Sequence, residues 1–353
     1  MVNMFDGYMF CLLFCCNLFL ISFCCDFILL RPSFLLRLSA IQVLMYILML
    51  PTIFMTVFGN LLVIITISHF KQLQSPTNLI ILSLALVDCM MGCLVMPFSM
   101  VRWVEGCWFM GDMFCKIHSG MDMTLSIASI LHLCLVSIDR YIAICEPLKY
   151  QMKMTNTIVV FCLTVIWLFS LMFSFGIVVS KVNVQGLETL AMSNTCLGFC
   201  ALTCNKQWTV ITSLLNFFLP GTIMSSLYLK IFFVARKQAK VICEGIAVIR
   251  SREAKGHYSE QRERKAAKTL GIVMGFFLLC WLPYFMTNLI DPFFNFMTPA
   301  DVFDSLIWLA YFNSMCNPLI YGFFYPRFQK TAKILSLNLF ERQFPIDHMH
   351  AAL

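Results

Sequence analysis

The chain alternates between long apolar runs and short polar connections from about residue 41 to residue 325. Each run has on the order of 20 residues or more, the length that a helix needs to cross a hydrocarbon layer of roughly 30 Å. Seven such runs predict seven membrane-spanning helices, because backbone exposed to lipid must satisfy its own hydrogen bonds. The predicted spans cover about residues 41–67, 78–101, 112–145, 157–180, 205–235, 265–290 and 302–325.

Positive charges favour one side of this predicted membrane domain. One set of connections is rich in Lys and Arg, near Lys71 and over residues 149–153, 236–268 and 327–333. The opposite set holds few such residues: Arg102, Lys116, Lys181 and Lys206. Because Lys and Arg accumulate on the cytoplasmic side, we expect an extracellular N-terminus, a cytoplasmic C-terminus and an inner loop at residues 236–268. The expected location is the plasma membrane.

Two end segments flank the predicted bundle of residues 41–325. Residues 1–40 lie on the outer side and are apolar from Tyr8 to Leu30, which leaves three interpretations open: a signal peptide, an eighth span or a wrongly assigned start of translation. Residues 326–353 are expected to form a short amphipathic helix at 327–336 and a tail, with cationic side chains facing anionic lipid. The predicted fold class is an all-α seven-transmembrane helix bundle with a short amphipathic C-terminal helix.

Composition excludes several classes of protein. The chain is 60% hydrophobic and 12% charged, which a soluble domain of 353 residues could not bury. Its net charge of +7 sits between apolar runs and forms no basic patch, so nucleic acid is not an expected partner. No cysteine spacing indicates a zinc site, and no nucleophile with its base or phosphate-binding loop indicates an enzyme.

Two carboxylates, Asp88 and Asp122, lie inside predicted spans, where an ionisable residue is costly and indicates function. A structural role, with Ser and Asn side chains satisfying each carboxylate, is the alternative. Asp122 and Arg140 are 18 residues apart on one helix, so they share a face at a separation of roughly 27 Å. An outer anion and an inner cation on one helix suit a receptor, and they also suit a transporter.

Aromatic residues recur near the outer half of the last two spans. Phe277, Trp281, Phe285 and Asn288 form one stripe of span six beside Tyr284, and Pro283 predicts a kink there. Trp308 and Tyr311 lie one turn apart in span seven. Such stripes are most often core packing, but an aromatic wall combined with one carboxylate describes a pocket for an organic ammonium ion.

Short motifs in all seven spans resemble those of rhodopsin-like G-protein-coupled receptors. They are Gly59-Asn60, Leu84 to Asp88, Cys115, Asp139-Arg140-Tyr141, Trp167, Pro220 with Tyr228, Cys280 to Pro283, and Asn317 to Tyr321. Within that family, residues 68–78, 93–102, 265–275 and 313–326 resemble the trace amine-associated receptors. Two departures are Arg327, where that group usually has Trp, and the absence of an Asn-x-Ser/Thr sequon.

The resemblance implies an amine pocket and a sodium site. Asp122 would be the counter-ion of the amine. The other pocket residues would be Met123, Ser126, Thr212, Ser213, Trp281, Tyr284, Phe285, Asn288, Trp308 and Tyr311. An allosteric sodium ion, the one cofactor expected, would bind at Asp88, Ser129, Asn313, Ser314 and Asn317, whose oxygen atoms suit a hard cation.

The resemblance also implies a switch and disulfide bonds. Arg140 would pair with Asp139 and Glu263 and release span six when the link breaks, with Tyr141, Tyr228 and Tyr321 as the other switch residues. A disulfide would join Cys115 to Cys200, and Cys196 would bond to the N-terminal segment.

The expected function is a receptor for small protonated amines that signals through a stimulatory G protein to cyclic AMP. Its partners would be the amine, a heterotrimeric G protein and the bilayer. Three alternatives stay open. The first is a serotonin or catecholamine receptor, for which Thr212, Ser213 and Asn216 are a partial match. The second is a transporter or channel, against which the absence of inverted repeats argues, and the third is a non-functional receptor.

Overall fold

The computed structural model describes residues 39–70, 73–180, 182, 200, 204–246 and 254–324, and within these ranges it contains helices and no strands. We number the main helices in chain order. They are α1 (Ala40–His69), α2 (Pro76–Glu105), α3 (Gly111–Cys145), α4 (Pro147–Lys153), α5 (Asn156–Ser180), α6 (206–246), α7 (Ala254–Ile290) and α8 (Ala300–Phe324). A 3₁₀ turn, Asp291–Phe294, follows α7.

Seven of these helices correspond to the predicted spans, and the short α4 lies between the third and the fourth. Among the described residues, six helices are long and apolar enough to cross a membrane, and they are α1, α2, α3, α5, α6 and α7. The helix predicted as the seventh span is α8, which packs against α7 and α1. The predicted all-α seven-helix bundle is therefore confirmed.

Local sequence sets where several helices begin. The Ser39 hydroxyl accepts a hydrogen bond from the backbone N–H of Gln42, and the Gln42 side chain accepts one from the Ser39 backbone, which is a capping box. Ser75 caps α2 just before Pro76, whose missing N–H costs nothing in the first turn. Asn205 caps α6 by accepting from the Trp208 N–H at 3.0 Å.

The segment between α6 and α7 corrects one prediction. Residues 236–268 were expected to form an inner loop, but α6 continues to Ile246 and α7 begins at Ala254. This stretch has no proline and is rich in Lys, Arg, Glu, Gln and Ala, all strong helix formers, so both helices continue beyond their apolar segments. Residues 247–253 lie outside the described ranges.

Other predictions fall outside the described residues. They concern the N-terminal segment up to residue 38, the amphipathic helix at 327–336, the tail after it and the second disulfide at Cys196. Glu263 and Tyr321 lie in described helices, but their side chains do not belong to the described part.

Small and polar residues hold the helices together. This is expected in a membrane, because the hydrophobic effect does not drive helices together in lipid. A Cβ atom at Gly59 would lie 3.1 Å from the Pro318 ring, so α1 and α8 approach closely there. The Asn60 amide donates to the Ser314 backbone carbonyl at 3.1 Å. Trp167 of α5 donates to Ser83 of α2 at 3.2 Å, and Ser83 lies 2.7 Å from the buried His132 of α3.

Two π turns interrupt α2 and α6, at Met91–Val95 and Leu214–Phe218. A π turn inserts an extra residue, which rotates the rest of the helix about its axis. Beyond the turn in α2, Ser99 faces α3 and α8, and Arg102 reaches α8. Beyond the turn in α6, toward the outer end, Ser213 meets Asn288 of α7. Because of these irregular turns, Ser99, Arg102 and Ser213 contact neighbouring helices in the outer half of the bundle.

Candidate functional site

Asp122 lies in the outer half of α3 with its carboxylate among polar hydroxyl groups. The Tyr311 hydroxyl donates to Oδ2 at 2.8 Å, and the Ser126 hydroxyl donates to Oδ1 at 3.5 Å. The side chain is half-buried, and none of the ion pairs between described residues includes it. The carboxylate is therefore held by hydroxyl donors and makes no ion pair in the described part of the chain.

An aromatic wall stands opposite this carboxylate on α6 and α7. Phe285 stacks on Phe217 with ring centroids 4.5 Å apart, and Trp281 and Tyr284 lie 5.8 Å and 5.2 Å from Phe285. The Tyr284 hydroxyl is within electrostatic range of Asp122. On α8, Trp308 meets Tyr311 edge to face at 5.7 Å. Faces of aromatic rings attract cations, so the wall and the carboxylate favour the same kind of ligand.

The remaining pocket candidates differ in how they relate to Asp122. Asn288 donates to the Ser213 hydroxyl at 3.4 Å, which joins α7 to α6. Thr212 turns its hydroxyl to the Thr209 carbonyl of its own helix at 3.2 Å. Met123 is half-buried next to Asp122 in sequence. Within the described residues, no hydrogen bond links Thr212 or Ser213 directly to Asp122.

An ion pair and a disulfide join helices at the end of the bundle that holds Asp122. Arg102 of α2 pairs with Asp304 of α8 at 2.9 Å and donates to the Cys200 carbonyl at 3.3 Å. Cys200 is bonded to Cys115 of α3, with a Cα–Cα distance of 5.7 Å, which is the pairing that the resemblance implied. Cys107 is disulfide-bonded as well, and sequence reasoning did not single it out.

Asp88 lies at mid-bundle and is fully buried. The Asn317 amide donates to Oδ2 at 2.7 Å and the Ser129 hydroxyl to Oδ1 at 3.5 Å. Ser314 also hydrogen-bonds to this carboxylate, and the buried Asn313 Oδ1 has no hydrogen-bond partner among described residues. A buried carboxylate beside an unsatisfied amide oxygen and two hydroxyls fits a small hard cation such as sodium.

Asp139 and Arg140 form a compact cluster at the inner end of α3. Arg140 makes an ion pair with Asp139 and donates to the Thr77 hydroxyl at 2.6 Å. Thr77 and Tyr150 donate to the two Asp139 oxygens, each at 2.9 Å. Thr77 belongs to α2 and Tyr150 to α4, so the buried Asp139 ties three helices together.

Two titrating groups of α4 and its N-cap flank this cluster. Burial raises the pKa of the Tyr150 hydroxyl, which therefore keeps the proton it donates to Asp139. A hydrogen bond from Lys153, at 2.7 Å, lowers the pKa of Glu146. Both groups thus hold one charge state near neutral pH, and neither is suited to act as a proton switch there.

The other switch residues are only partly described. Lys230 lies over the Tyr141 ring at 6.0 Å, and Tyr228 packs in the apolar cluster around Ile231. Tyr228 also fills the space above Gly271 of α7, where a Cβ atom would lie 2.7 Å from the tyrosine Cζ. The proposed bond from Arg140 to Glu263 involves a side chain outside the described part.

Sequence reasoning missed His118 and Ser99, which lie beside Asp122 and Tyr311. His118 is buried on α3, one turn before Asp122. A histidine inside a predicted span is a weaker sequence signal than a carboxylate, because its neutral ring is less costly to bury. Ser99 carries no sequence signal of its own, because the π turn of α2 decides where it points.

Comparison with known proteins places the chain in a family. The model of the 7 transmembrane receptor (rhodopsin family) matches residues 59–321. Trace amine-associated receptor 4 of Mus musculus is 46% identical over 310 residues, which are 87% of this chain and 89% of that protein. Trace amine-associated receptor 3 of Rattus norvegicus is 50% identical over 301 residues, 85% of this chain and 87% of that protein.

A fish receptor gives a similar match. Trace amine-associated receptor 13c of Danio rerio is 46% identical over 303 residues, which are 85% of this chain and 88% of that protein. These matches extend over most of both chains, and the family model covers most of the helices described above. The chain therefore belongs to the rhodopsin family of seven-transmembrane receptors and, within it, to the trace amine-associated receptors.

Proposed function

We propose that this protein is a plasma-membrane receptor for small protonated amines and that it signals through a stimulatory G protein to cyclic AMP. The observation that carries the proposal is the Asp122 carboxylate, half-buried within the bundle and in no ion pair among the described residues. A carboxylate in such surroundings is costly unless a cation balances it. The names of the relatives support an amine as that cation.

The surroundings of Asp122 favour an organic ammonium ion over an inorganic one. Trp281, Tyr284 and Phe285 supply aromatic faces. Such faces attract organic ammonium ions. The ammonium N–H groups would bond to Asp122, and the aromatic side chains would cover the organic part of the ligand.

The distribution of charge and cysteine supports the proposed orientation. The Cys115–Cys200 disulfide is at the same end of α3 as Asp122, and disulfides persist on the oxidising, extracellular side of a membrane. Asp139, Arg140, Lys149 and Lys153 are at the other end, where the Lys-rich and Arg-rich connections lie. The pocket would thus open to the outside and the α4 end would meet the cytosol.

An exposed apolar surface on α4 supports coupling to a protein partner. Leu148 and Met152 are 95% and 71% exposed on this short helix. They lie beside Tyr150, which bonds to Asp139 next to Arg140. Exposed apolar side chains of this kind suit an interface, and the partner we propose is a heterotrimeric G protein. Loss of the Arg140 contacts, including one to Glu263, would free α7 to move outward, with Tyr228 and Tyr321 stabilising that state.

We further propose that sodium binds at Asp88, Ser129, Asn313, Ser314 and Asn317. Bound there, the ion would neutralise Asp88 without a proton. Asp88 belongs to α2, Ser129 to α3 and the other three to α8, so these residues would hold the three helices in one arrangement. An agonist that favours a different arrangement would then compete with sodium.

The decisive experiment is the substitution Asp122→Ala in cells that carry a cyclic-AMP reporter. The test panel contains 2-phenylethylamine, cyclohexylamine, N-methylpiperidine, trimethylamine, serotonin and dopamine. Deleting one partner of a desolvated charge pair costs about 2–5 kcal/mol, so the potency of the active amine should fall about 30-fold or more.

The matched control is Asp112→Ala, which removes an exposed carboxylate from the first turn of the same helix. Asp112→Ala should respond like the parent receptor at equal surface level. An Asp122→Ala receptor that responds normally to the same amine would refute the proposed pocket. A parent receptor that prefers serotonin or dopamine to the simple amines would favour the alternative aminergic assignment.

A further inference from the structure

We propose that His118 is a positioning residue for the Asp122 carboxylate and acts through Ser99 and Tyr311. Together these four side chains form a one-way chain of hydrogen bonds that ends on Asp122. The inference rests on the proposed function, because it assigns a role within the same pocket. It differs from a ligand contact, since His118 would act on the carboxylate through two intervening hydroxyl groups.

The chain is continuous and lies between helices α2, α3 and α8. His118 Nε2 is 3.3 Å from the Ser99 hydroxyl, the Ser99 hydroxyl is 3.3 Å from the Tyr311 hydroxyl, and Tyr311 donates to Asp122 Oδ2 at 2.8 Å. The side chains of His118, Ser99 and Tyr311 are buried, with 1%, 0% and 2% exposure. Water therefore has little access to the bonds that link them.

The direction of the bonds follows from the groups at the two ends. His118 Nε2 lies 3.2 Å from the Val95 backbone carbonyl, which can only accept, so the ring proton must be on Nε2. This single N–H is shared between the Val95 carbonyl and the Ser99 hydroxyl, so Ser99 accepts from His118 and directs its own proton to the Tyr311 oxygen. The Tyr311 proton goes to the carboxylate, which also can only accept. Both ends thus require the same direction.

Such a chain should strengthen its last bond. In surroundings of low dielectric, each donor polarises the next, so Tyr311 becomes a better donor to Asp122 than an isolated tyrosine would be. The bond fixes Oδ2, while Oδ1 has only the long contact of 3.5 Å with Ser126. The chain therefore favours the ionised form of the carboxylate and leaves Oδ1 for an incoming ammonium group.

Two aromatic neighbours hold the ring of His118. It lies 5.2 Å from the Trp108 ring and 6.2 Å from the Phe98 ring. Its buried Nδ1 has no hydrogen-bond partner among the described residues. A buried acceptor without a donor lowers stability, so the bonds at Nε2 are the favourable part of placing a histidine here.

The test uses Ser99→Ala and His118→Leu, each with a conservative partner. Ser99→Thr keeps the hydroxyl, and His118→Gln keeps an N–H at the position of Nε2. The probe is the member of the amine panel that is most potent on the parent receptor. Removing one hydrogen bond of this kind should lower agonist potency about five- to tenfold, while the maximal response and the surface level stay unchanged.

Thr124→Ala is the matched control, because it removes a buried hydroxyl of α3 whose one hydrogen bond among the described residues stays within its own helix, to the Gly120 carbonyl at 2.6 Å. This control should leave potency within about twofold of the parent. Ser99→Thr and His118→Gln should each recover most of the potency that Ser99→Ala and His118→Leu lose. If His118→Leu fails to reach the surface, Ser99→Ala and its Thr partner carry the test.

A double substitution separates action through Tyr311 from local packing. Residues that act through one group are not additive, so Ser99→Ala added to Tyr311→Phe should lower potency less than twofold further. The proposal would be overturned if Ser99→Ala lowered the potency of the Tyr311→Phe receptor as much as it lowers that of the parent. A Ser99→Ala receptor as potent as the parent would also overturn it. In both cases Asp122→Ala still tests the amine pocket itself. If Asp122→Ala also responded normally, the proposed function would fail together with the chain.

Discussion

Arg102 of α2 and Asp304 of α8 form an ion pair across the outer mouth of the bundle, with Nη2 and Oδ1 2.9 Å apart. The same guanidinium donates to the Cys200 carbonyl, so one side chain joins α2, α8 and the disulfide-bonded segment. Both side chains are mostly buried, with 15% and 19% exposure. We expect a ligand that leaves the Asp122 region to pass this cluster.

We therefore expect Asp304→Ala to speed the loss of bound agonist. An ion pair near the protein surface contributes on the order of 1 kcal/mol, which corresponds to a roughly fivefold faster decay of the response after agonist washout. Asp301→Ala, on the exposed side of the same helix, is the control and should decay like the parent. Equal decay rates for the two variants would show that the ion pair does not retain the ligand.

Gly271→Ala should raise signalling in the absence of ligand. The added methyl group would overlap the Tyr228 hydroxyl, so the tyrosine must leave its place between α6 and α7. Losing a contact specific to this arrangement shifts a two-state receptor toward its other state. Gly275→Ala is the control one turn along, because a Cβ atom there would meet nothing within 4 Å. Basal cyclic AMP at matched surface level is the measurement, and equal values for both variants would contradict the prediction.

Leu148→Ala should weaken coupling to the G protein without changing agonist binding. Burial of a leucine side chain in an interface contributes about 1.5–3 kcal/mol, so the cyclic-AMP response should fall about tenfold or more in potency. Met113→Ala removes a similarly exposed apolar side chain, 72% accessible, from the outer end of α3 and should have no effect. Unchanged coupling in Leu148→Ala would exclude α4 as a principal contact.

Sodium should lower agonist potency in the parent receptor and not in Asp88→Asn. The substitution keeps the shape of the side chain but removes the charge that would attract the cation. Agonist potency is compared in sodium chloride and in choline chloride of equal ionic strength. A parent receptor that is indifferent to this exchange would argue against the sodium site, and so would an Asp88→Asn receptor that retains the sodium effect.

External pH should act through the ligand. Only the ammonium form can pair with Asp122, so the potency of an amine should fall as pH rises through the pKa of that amine, about tenfold per unit above it. A quaternary ammonium analogue small enough to fit has no titrating proton and serves as the control, with constant potency over the same range. A neutral isostere that activates as well as its amine would contradict charge pairing.

The sequence predicts the helices well and the contacts between them less well. The lengths of the apolar runs predicted the ends of the first, third and fourth spans to within about two residues of the observed helix ends. They could not predict that α6 continues to Ile246 and that α7 begins at Ala254, because hydropathy detects the membrane boundary and not the end of a helix.

Site residues on regular helices were easier to anticipate than those beyond a distortion. Asp122 and its distance along α3 from Arg140 follow from helical periodicity alone. Ser99 and Arg102 lie after a π turn, which changes the face that each presents, so their bonds to Tyr311 and Asp304 could not be derived from spacing. Tyr150 reaches Asp139 because α4 packs next to the inner end of α3. The sequence pattern alone does not predict that packing.

The length of α7 before Pro283 has a mechanical consequence. Residues 254–281 span roughly 40 Å at 1.5 Å per residue. A tilt of about 5° at Pro283 would displace the far end of such a rod by roughly 3.5 Å. Meanwhile the Gly59–Pro318 and Asn60–Ser314 contacts hold α1 and α8 together as a fixed base. A change of less than an ångström around Trp281 can thus become a displacement large enough for a partner protein to detect.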